Sequence, residues 1–216
     1  MAFYIFPKVV SKQNCESYLK YCLRDANFEE ATTVKDGQND IMTDEEMESE
    51  NFVEIQKNRI EKIDKLRKTQ VHFINDRDNL LNEIVWNFIR EANARFFGYQ
   101  LDYFQAIQFA KYGVGGHYDW HQDSTQKPDV KDNRKLSLTM SLSDRKDYDG
   151  GFLEFYNGGK PLCATFDNDE LRDVSEEVKE QGTVIVFDSR DWHRVTPVTK
   201  GVRYSLVCWT VGPRFV

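Results

Sequence analysis

Hydrophobic positions in the first quarter of the chain switch between two periods. From Phe3 to Val10 apolar residues alternate well enough for a strand. Ser11 then offers an N-cap for a helix through about Ala26, with Tyr18, Leu19 and Cys22 facing inward. Gln70–Ile74 reads as a short strand. A cap at Asn75 or Asp76 opens a helix to about Phe97, in which Leu81, Ile84, Val85, Phe88, Ile89 and Ala92 recur at helical spacing and Gly98 provides the stop. After Gly98 the texture becomes that of strands. The expected ones are Phe104–Tyr112, Tyr118–Gln122, Leu136–Leu142, Phe152–Phe155, Thr183–Asp188 and Val202–Trp209, separated by turn signals at 113–116, 149–151, 157–159 and Gly182. Two helices followed by many short strands predict an α+β domain whose β part is a sandwich or barrel.

The segment from Asn27 to Lys68 fits neither period. It is charge-rich, acidic around Asp44-Glu45-Glu46-Met47-Glu48 and basic at Lys62, Lys65, Arg67 and Lys68. The plain reading is a solvated helix with loose ends. The functional reading joins it to the polar loop Ser124–Asn133 as a groove that orders over a substrate.

A chain of 216 residues fits one domain. We divide it into a helical N-terminal part with short strands (1–98) and a β core (99–216). Its composition is that of a water-soluble protein, and its start has neither a basic n-region nor a long apolar run, so the expected compartment is the cytoplasm. A net charge of −7 weighs against a phosphate-gripping partner, and no apolar run is long enough for a membrane span. The cysteines at 15, 22, 163 and 208 show no C-x-x-C spacing and read as reduced thiols. Oligomeric state is not legible.

The chemistry concentrates on histidines. Of the four (72, 117, 121, 193), two precede an aspartate at i+2: His117-x-Asp119 and His121-x-Asp123. Residues i and i+2 of a strand share a face, so such a pair can grip one ion. A distant histidine would complete a two-His, one-carboxylate set that leaves three positions of an octahedral iron open. Alone, an H-x-D pair is more often a surface histidine beside a surface aspartate. His72 reads as an ordinary half-buried histidine. Glycines 113, 115 and 116 lack the Lys-Ser or Lys-Thr ending and following helix of a phosphate loop, so they read as a turn.

More than the pair is present. Tyr112, Gly115, Tyr118, His121 and Asp123 fit Y-x-x-G-x-x-Y-x-x-H-x-D. Seventy residues on comes His193-Arg-Val195-Thr-Pro197-Val198-Thr-Lys-Gly201-Val-Arg203, then Trp209. With the blocks Arg134–Leu142 and 149–154 between them, this resembles the prolyl 4-hydroxylase-like branch of the Fe(II)/2-oxoglutarate oxygenases, from about Tyr103 to Pro213. The resemblance implies a double-stranded β-helix, or jelly-roll barrel, closed by supporting N-terminal helices. It implies that His121, Asp123 and His193 are the catalytic metal ligands for Fe(II). It implies that Arg203 binds the distal carboxylate of 2-oxoglutarate, supported by Tyr112; a core tyrosine is the competing reading of Tyr112. A guanidinium fork suits a carboxylate and stays charged inside a barrel. Trp209 reads as barrel packing. Tyr112, Gly115 and Tyr118 frame the 121/123 pair and leave His117 and Asp119 four residues out of register. Were the strand regular, all four would share a face, with the outer pair towards its end.

The implied reaction couples oxidative decarboxylation of 2-oxoglutarate to hydroxylation of a C–H bond by O₂, with ascorbate as a possible reductant. The expected substrate is a peptidyl proline or other protein side chain. Rival readings are a small-molecule hydroxylase, a nucleic-acid demethylase, or a non-catalytic cupin-like metal-binding module. Asp123 speaks against a halogenase, where a small residue replaces the carboxylate. Trp209 stands where demethylases carry a second arginine.

Overall fold

The computed structural model describes residues 3–31, 65–74, 80–124, 133–157, 160–162, 164–167 and 170–214. The charged stretch 32–64, the loop 125–132, the expected helix cap at 75–76 and Cys163 lie outside them, and with them most of the expected groove. In the N-terminal part come strand β1 (Phe3–Phe6), helix α1 (Lys12–Arg24), strands β2 (Glu29–Glu30), β3 (Arg67–Lys68) and β4 (Gln70–Ile74), and helix α2 (Leu80–Ala92). Then follow β5 (Tyr103–Phe104), β6 (Ile107–Tyr112), β7 (His117–His121), β8 (Asn133–Ser141), β9 (Tyr148–Gly150) and β10 (Leu153–Asn157). The chain continues with β11 (Lys160–Leu162), β12 (Ala164–Asp167), β13 (Glu170–Asp173), helix α3 (Ser175–Lys179), β14 (Val184–Asp188), β15 (His193–Val195), β16 (Val198–Gly201) and β17 (Arg203–Gly212).

Both expected helices form, the first with its expected N-cap and the second with its expected glycine stop. The Ser11 hydroxyl accepts the Asn14 N–H at 3.2 Å and starts α1, which buries Cys15 and Cys22. Helix α2 buries Leu81, Val85, Ile89 and Ala92, then widens into one π-helical turn over Asn93–Phe97. Gly98 closes that turn in the left-handed conformation (φ 66°), its N–H donating to the Asn93 carbonyl at 2.8 Å.

Two antiparallel sheets face each other. The larger runs β1-β14-β8-β17-β6-β4-β2, with β5 against β17, and the smaller runs β11-β10-β15-β7-β3. Alternation sorts the side chains of the larger sheet. Ile107 and Phe109, Leu136, Leu138 and Met140, Val184 and Val186, and Leu206 and Cys208 pack with the helices in one core cluster. Ala110, Tyr112, Ile185 and Phe187 point the other way and meet Leu153, Phe155 and Val195 of the smaller sheet in a second. This is an α+β jelly-roll barrel with helices on the outer face of its larger sheet. Strands β1, β2 and β4 of the N-terminal part belong to that sheet, so this part supplies strands as well as helices. No helix among the described residues is long and apolar enough to cross a membrane.

Candidate metal centre

Strand β15 pairs directly with β7, and their register sets His193 opposite His121. Asp123 follows two residues after β7 ends. Its Oδ1 lies 3.7 Å from His121 Nε2 and its Oδ2 3.5 Å from His193 Nε2, and one ligand atom from each residue falls within 4.8 Å of the others. Each imidazole is oriented by its other nitrogen. His121 Nδ1 lies 2.7 Å from the Asp119 carbonyl and His193 Nδ1 2.8 Å from the Asp191 carbonyl. A carbonyl only accepts, so both Nδ1 atoms carry the proton and both Nε2 lone pairs turn towards Asp123. Ser137 donates to Asp123 Oδ2 at 2.7 Å and is in hydrogen-bond contact with Ser189 at 2.9 Å. The Gln122 amide donates to the Arg190 carbonyl, tying the segment that carries Asp123 to the one that precedes His193.

Burial pushes the His121 imidazole down to about 3, with the neighbouring His193 acting in the same direction. For Asp123 burial acts upward, but His193, His121, Arg134 and the Ser137 hydroxyl outweigh it and hold the carboxyl down to about 2. His121 thus offers an imidazole lone pair and Asp123 an ionised carboxylate, with His193 Nε2 3.5 Å from Asp123 Oδ2. Their donor chemistry fits the two-His, one-carboxylate face of non-haem Fe(II) with open positions for further ligands.

These residues line a cavity between the sheets with about 480 Å³ of empty space, its open mouth included. Arg203 and Tyr112 line it too, paired across β17 and β6, with the guanidinium 5.2 Å from the ring centroid. Arg203 is 4% exposed and donates to Ser205 Oγ at 3.2 Å. Gly151 leaves room for it: at its φ of 61° a Cβ would sit 2.9 Å from Arg203 Cδ. Tyr112 is at once a member of the inner core cluster and part of the cavity wall, so its two readings describe one position.

The strand carrying His121 is not regular. Val195 pairs with Tyr118 while His193 pairs with His121, so two residues on β15 span three on β7. This bulge brings Tyr118, rather than Asp119 or His117, to the cavity beside His121, and the rings stack at 3.4 Å between centroids. The shared face for both H-x-D pairs is thereby corrected. His117 is instead held by main-chain carbonyls, Nδ1 to Gly115 at 3.0 Å and Nε2 to Lys65 at 3.2 Å. His72 is half-buried, with Nδ1 3.2 Å from the Asn27 carbonyl.

Three cavity or supporting residues, Ser137, Gln108 and Arg67, escaped the sequence reading, and a fourth, Trp209, was read only as packing. Ser137 lay in an alternating strand with nothing to mark it as a carboxylate partner. Gln108 sat unremarked in β6. Trp209 lines the cavity as well as packing under Arg134, whose guanidinium is 4.0 Å from its ring. Arg67, read with the solvated charge run, is buried in the cavity wall over Tyr118. Only its pairing with β7 reveals this, and charge pattern carries no trace of it.

Comparison with known proteins agrees with this geometry. Residues 107–211 match the model of the 2OG-Fe(II) oxygenase superfamily. A PKHD-type hydroxylase of Synechococcus sp. (strain CC9902) is 34% identical over 106 residues, which are 48% of this chain and 40% of that protein. PiuC, a PKHD-type hydroxylase of Pseudomonas aeruginosa, is 33% identical over 107 residues, 47% of this chain and 41% of its own length. The match thus spans about two fifths of the length of these curated relatives. A prolyl-4-hydroxylase of Pseudomonas putida superposes with a TM-score of 0.63 at 19% identity, covering 100% of this chain and 94% of that one. A prolyl hydroxylase from Trichoplax adhaerens, solved with a hypoxia inducible factor peptide fragment, gives 0.62 at 16% identity, covering 97% and 83%. At such identities the structural likeness establishes the fold, a double-stranded β-helix of the prolyl-4-hydroxylase kind.

Proposed function

We propose that this chain, whose residues 107–211 match the model of the 2OG-Fe(II) oxygenase superfamily, is an Fe(II)- and 2-oxoglutarate-dependent dioxygenase that hydroxylates a peptidyl proline or another protein side chain. The observation that carries the reading is one cavity holding both the His121–Asp123–His193 set and the buried Arg203, which has no carboxylate partner among the described residues. The prolyl hydroxylase titles of the Pseudomonas putida and Trichoplax structures support the choice of substrate class, as does the peptide bound to the Trichoplax protein.

Each residue then has a defined task. His121 and His193 present Nε2 and Asp123 presents a carboxylate oxygen to the iron. Ser137 orients the Asp123 carboxylate and favours its ionised form. Arg203 pairs with the distal carboxylate of 2-oxoglutarate, and the Tyr112 ring packs beside its guanidinium. Phe187 stands edge-on to His193 at 4.7 Å, and with Leu153 and Val195 it keeps water from the reacting centre. When bound, iron, 2-oxoglutarate and O₂ supply the oxidative decarboxylation to succinate and CO₂ that is coupled to C–H hydroxylation. Ascorbate is the proposed reductant that keeps the iron ferrous.

Anaerobic titration of the chain with Fe(II) and 2-oxoglutarate tests this. The expected result is a metal-to-ligand charge-transfer band that needs both additions. Arg203→Lys keeps the charge but loses the planar fork, and should raise the half-saturating 2-oxoglutarate concentration by roughly tenfold. Candidate peptides should then gain one oxygen atom by mass spectrometry only when 2-oxoglutarate is supplied. A chain that binds metal without the band is a non-catalytic module.

A further inference from the structure

The cavity holds a second arginine that this reading leaves unused. Arg67 is 8% exposed. One Nη donates to Gln108 Oε1 at 3.3 Å, the guanidinium lies 4.4 Å from the Tyr118 ring centroid, and Nε has no hydrogen-bond partner. No carboxylate among the described residues is in ion-pair contact with it. The indole N–H of Trp209, itself 7% exposed, is also unpartnered and lines the same cavity. A buried cation without a counter-charge is costly, and two orphaned donors in one cavity describe a site built to receive an acceptor.

Position separates this site from the one at Arg203. Arg203 pairs across the sheet with Tyr112, whereas Arg67 bonds Gln108, four residues earlier on β6. Four residues of strand amount to about 13 Å, so the β6 partners of the two arginines lie on different stretches of the cavity wall. Trp209 is six residues beyond Arg203 on β17, on the same inward face, which extends the cavity in that same direction. Arg67 is also close to the chemistry. It stacks on Tyr118, and Tyr118 stacks on His121. A group held there stands one aromatic ring from a proposed metal ligand.

We infer that Arg67, with Gln108 and the Trp209 indole N–H, binds a carboxylate carried by the prime substrate close to the carbon that is oxidised. The inference rests on the oxygenase reading, which assigns the other carboxylate site to 2-oxoglutarate. Two sources present the same chemistry: a free amino acid, or an acidic side chain beside the target residue of a peptide.

Matched pairs distinguish them. The full chain, loaded anaerobically with Fe(II) and 2-oxoglutarate, is titrated calorimetrically with L-proline against L-prolinamide, and with N-acetyl-Pro-Asp-amide against N-acetyl-Pro-Asn-amide. At least one carboxylate should bind about tenfold tighter than its amide, the scale of a charge-assisted hydrogen bond. Preference in the first pair marks a free amino acid, and preference in the second an acidic peptide. Arg67→Gln should reduce that preference to within about threefold, and Arg67→Lys should retain part of it because the charge remains. No preference in either wild-type pair overturns the inference, as does a preference that Arg67→Gln leaves intact. If Arg67→Gln does not fold by circular dichroism, the wild-type pairs and Arg67→Lys still decide. The charge-transfer band, recorded first, judges the oxygenase reading separately. Were it missing, the same titrations on the metal-free chain would still test Arg67.

Discussion

The two sheets enclose one cavity but are built on different terms. In the larger sheet β14 is buried at every position, and β8 and β17 are buried at nearly all. It is covered by helices on one side and by the cavity on the other. In the smaller sheet β7 is half-buried or exposed throughout, and its outer side carries Trp120 beside Tyr156 and Trp192, the last two about half exposed. The larger sheet keeps regular register across β14 and β8 and shifts only near the end of β17, between Thr210 and Val211, while the smaller one breaks register at the metal centre. A bulge in the middle of a strand buried on both faces tends to empty one core or overfill the other. A sheet with one wet face meets less resistance, and the bulge that brings Tyr118 and His121 together lies there. The scaffold is most deeply buried where the helices pack, and two of the three proposed metal ligands, His121 and His193, lie on the smaller sheet.

That contrast can be broken at its strongest point. Asp123→Ala should abolish 2-oxoglutarate turnover while circular dichroism reports a folded barrel, because the smaller sheet supplies ligands more than core. Measurable turnover would remove Asp123 from the metal set. Leu206→Ala should do the reverse. Leu206 is fully buried between the larger sheet and the helices, and its truncation should cost about 2–5 kcal/mol in denaturant unfolding. The iron and 2-oxoglutarate band should persist under native conditions. Ser137→Ala joins the two regions, since its hydroxyl rises from the larger sheet to hold Asp123. Fe(II) affinity should fall by roughly ten- to a hundredfold, read by competition with a chelator. The smallest effect belongs to His117→Ala. His117 sits on β7 but contacts main-chain carbonyls outside the cavity, so turnover should stay within about twofold of the parent. A large loss there would mean that the bulge does not separate the two H-x-D pairs.

The cysteines sharpen the same picture. Burial pushes the Cys15 thiol up to about 11 and those of Cys22 and Cys208 up to about 12, as expected of inert thiols in the helix-covered core.

The sequence by itself determined which side chains share a face wherever a strand stays regular. Period-2 alternation separates Leu206 and Cys208 from Arg203, Ser205 and Trp209, and the spaced tyrosine, glycine, histidine and aspartate pattern, with the later His193–Arg203 block, picked out the three residues that the fold brings together. The expected helices and most core strands formed within a few residues of their predicted bounds. Short strands such as β3, β9 and β15 were not legible, because two or three residues carry too little periodicity. Only the tertiary structure decided that Tyr118 joins the cavity in place of Asp119, that Ser137 holds the Asp123 carboxylate, and that Arg67 is a buried cation rather than part of a solvated run. Each depends on register between segments far apart in the chain, with Arg67 opposite Tyr118 and His193 opposite His121. Local periodicity states which way a side chain points within its own strand. It carries no information on which strand lies beside it, because hydrogen bonding and burial fix that only once the whole sheet has paired.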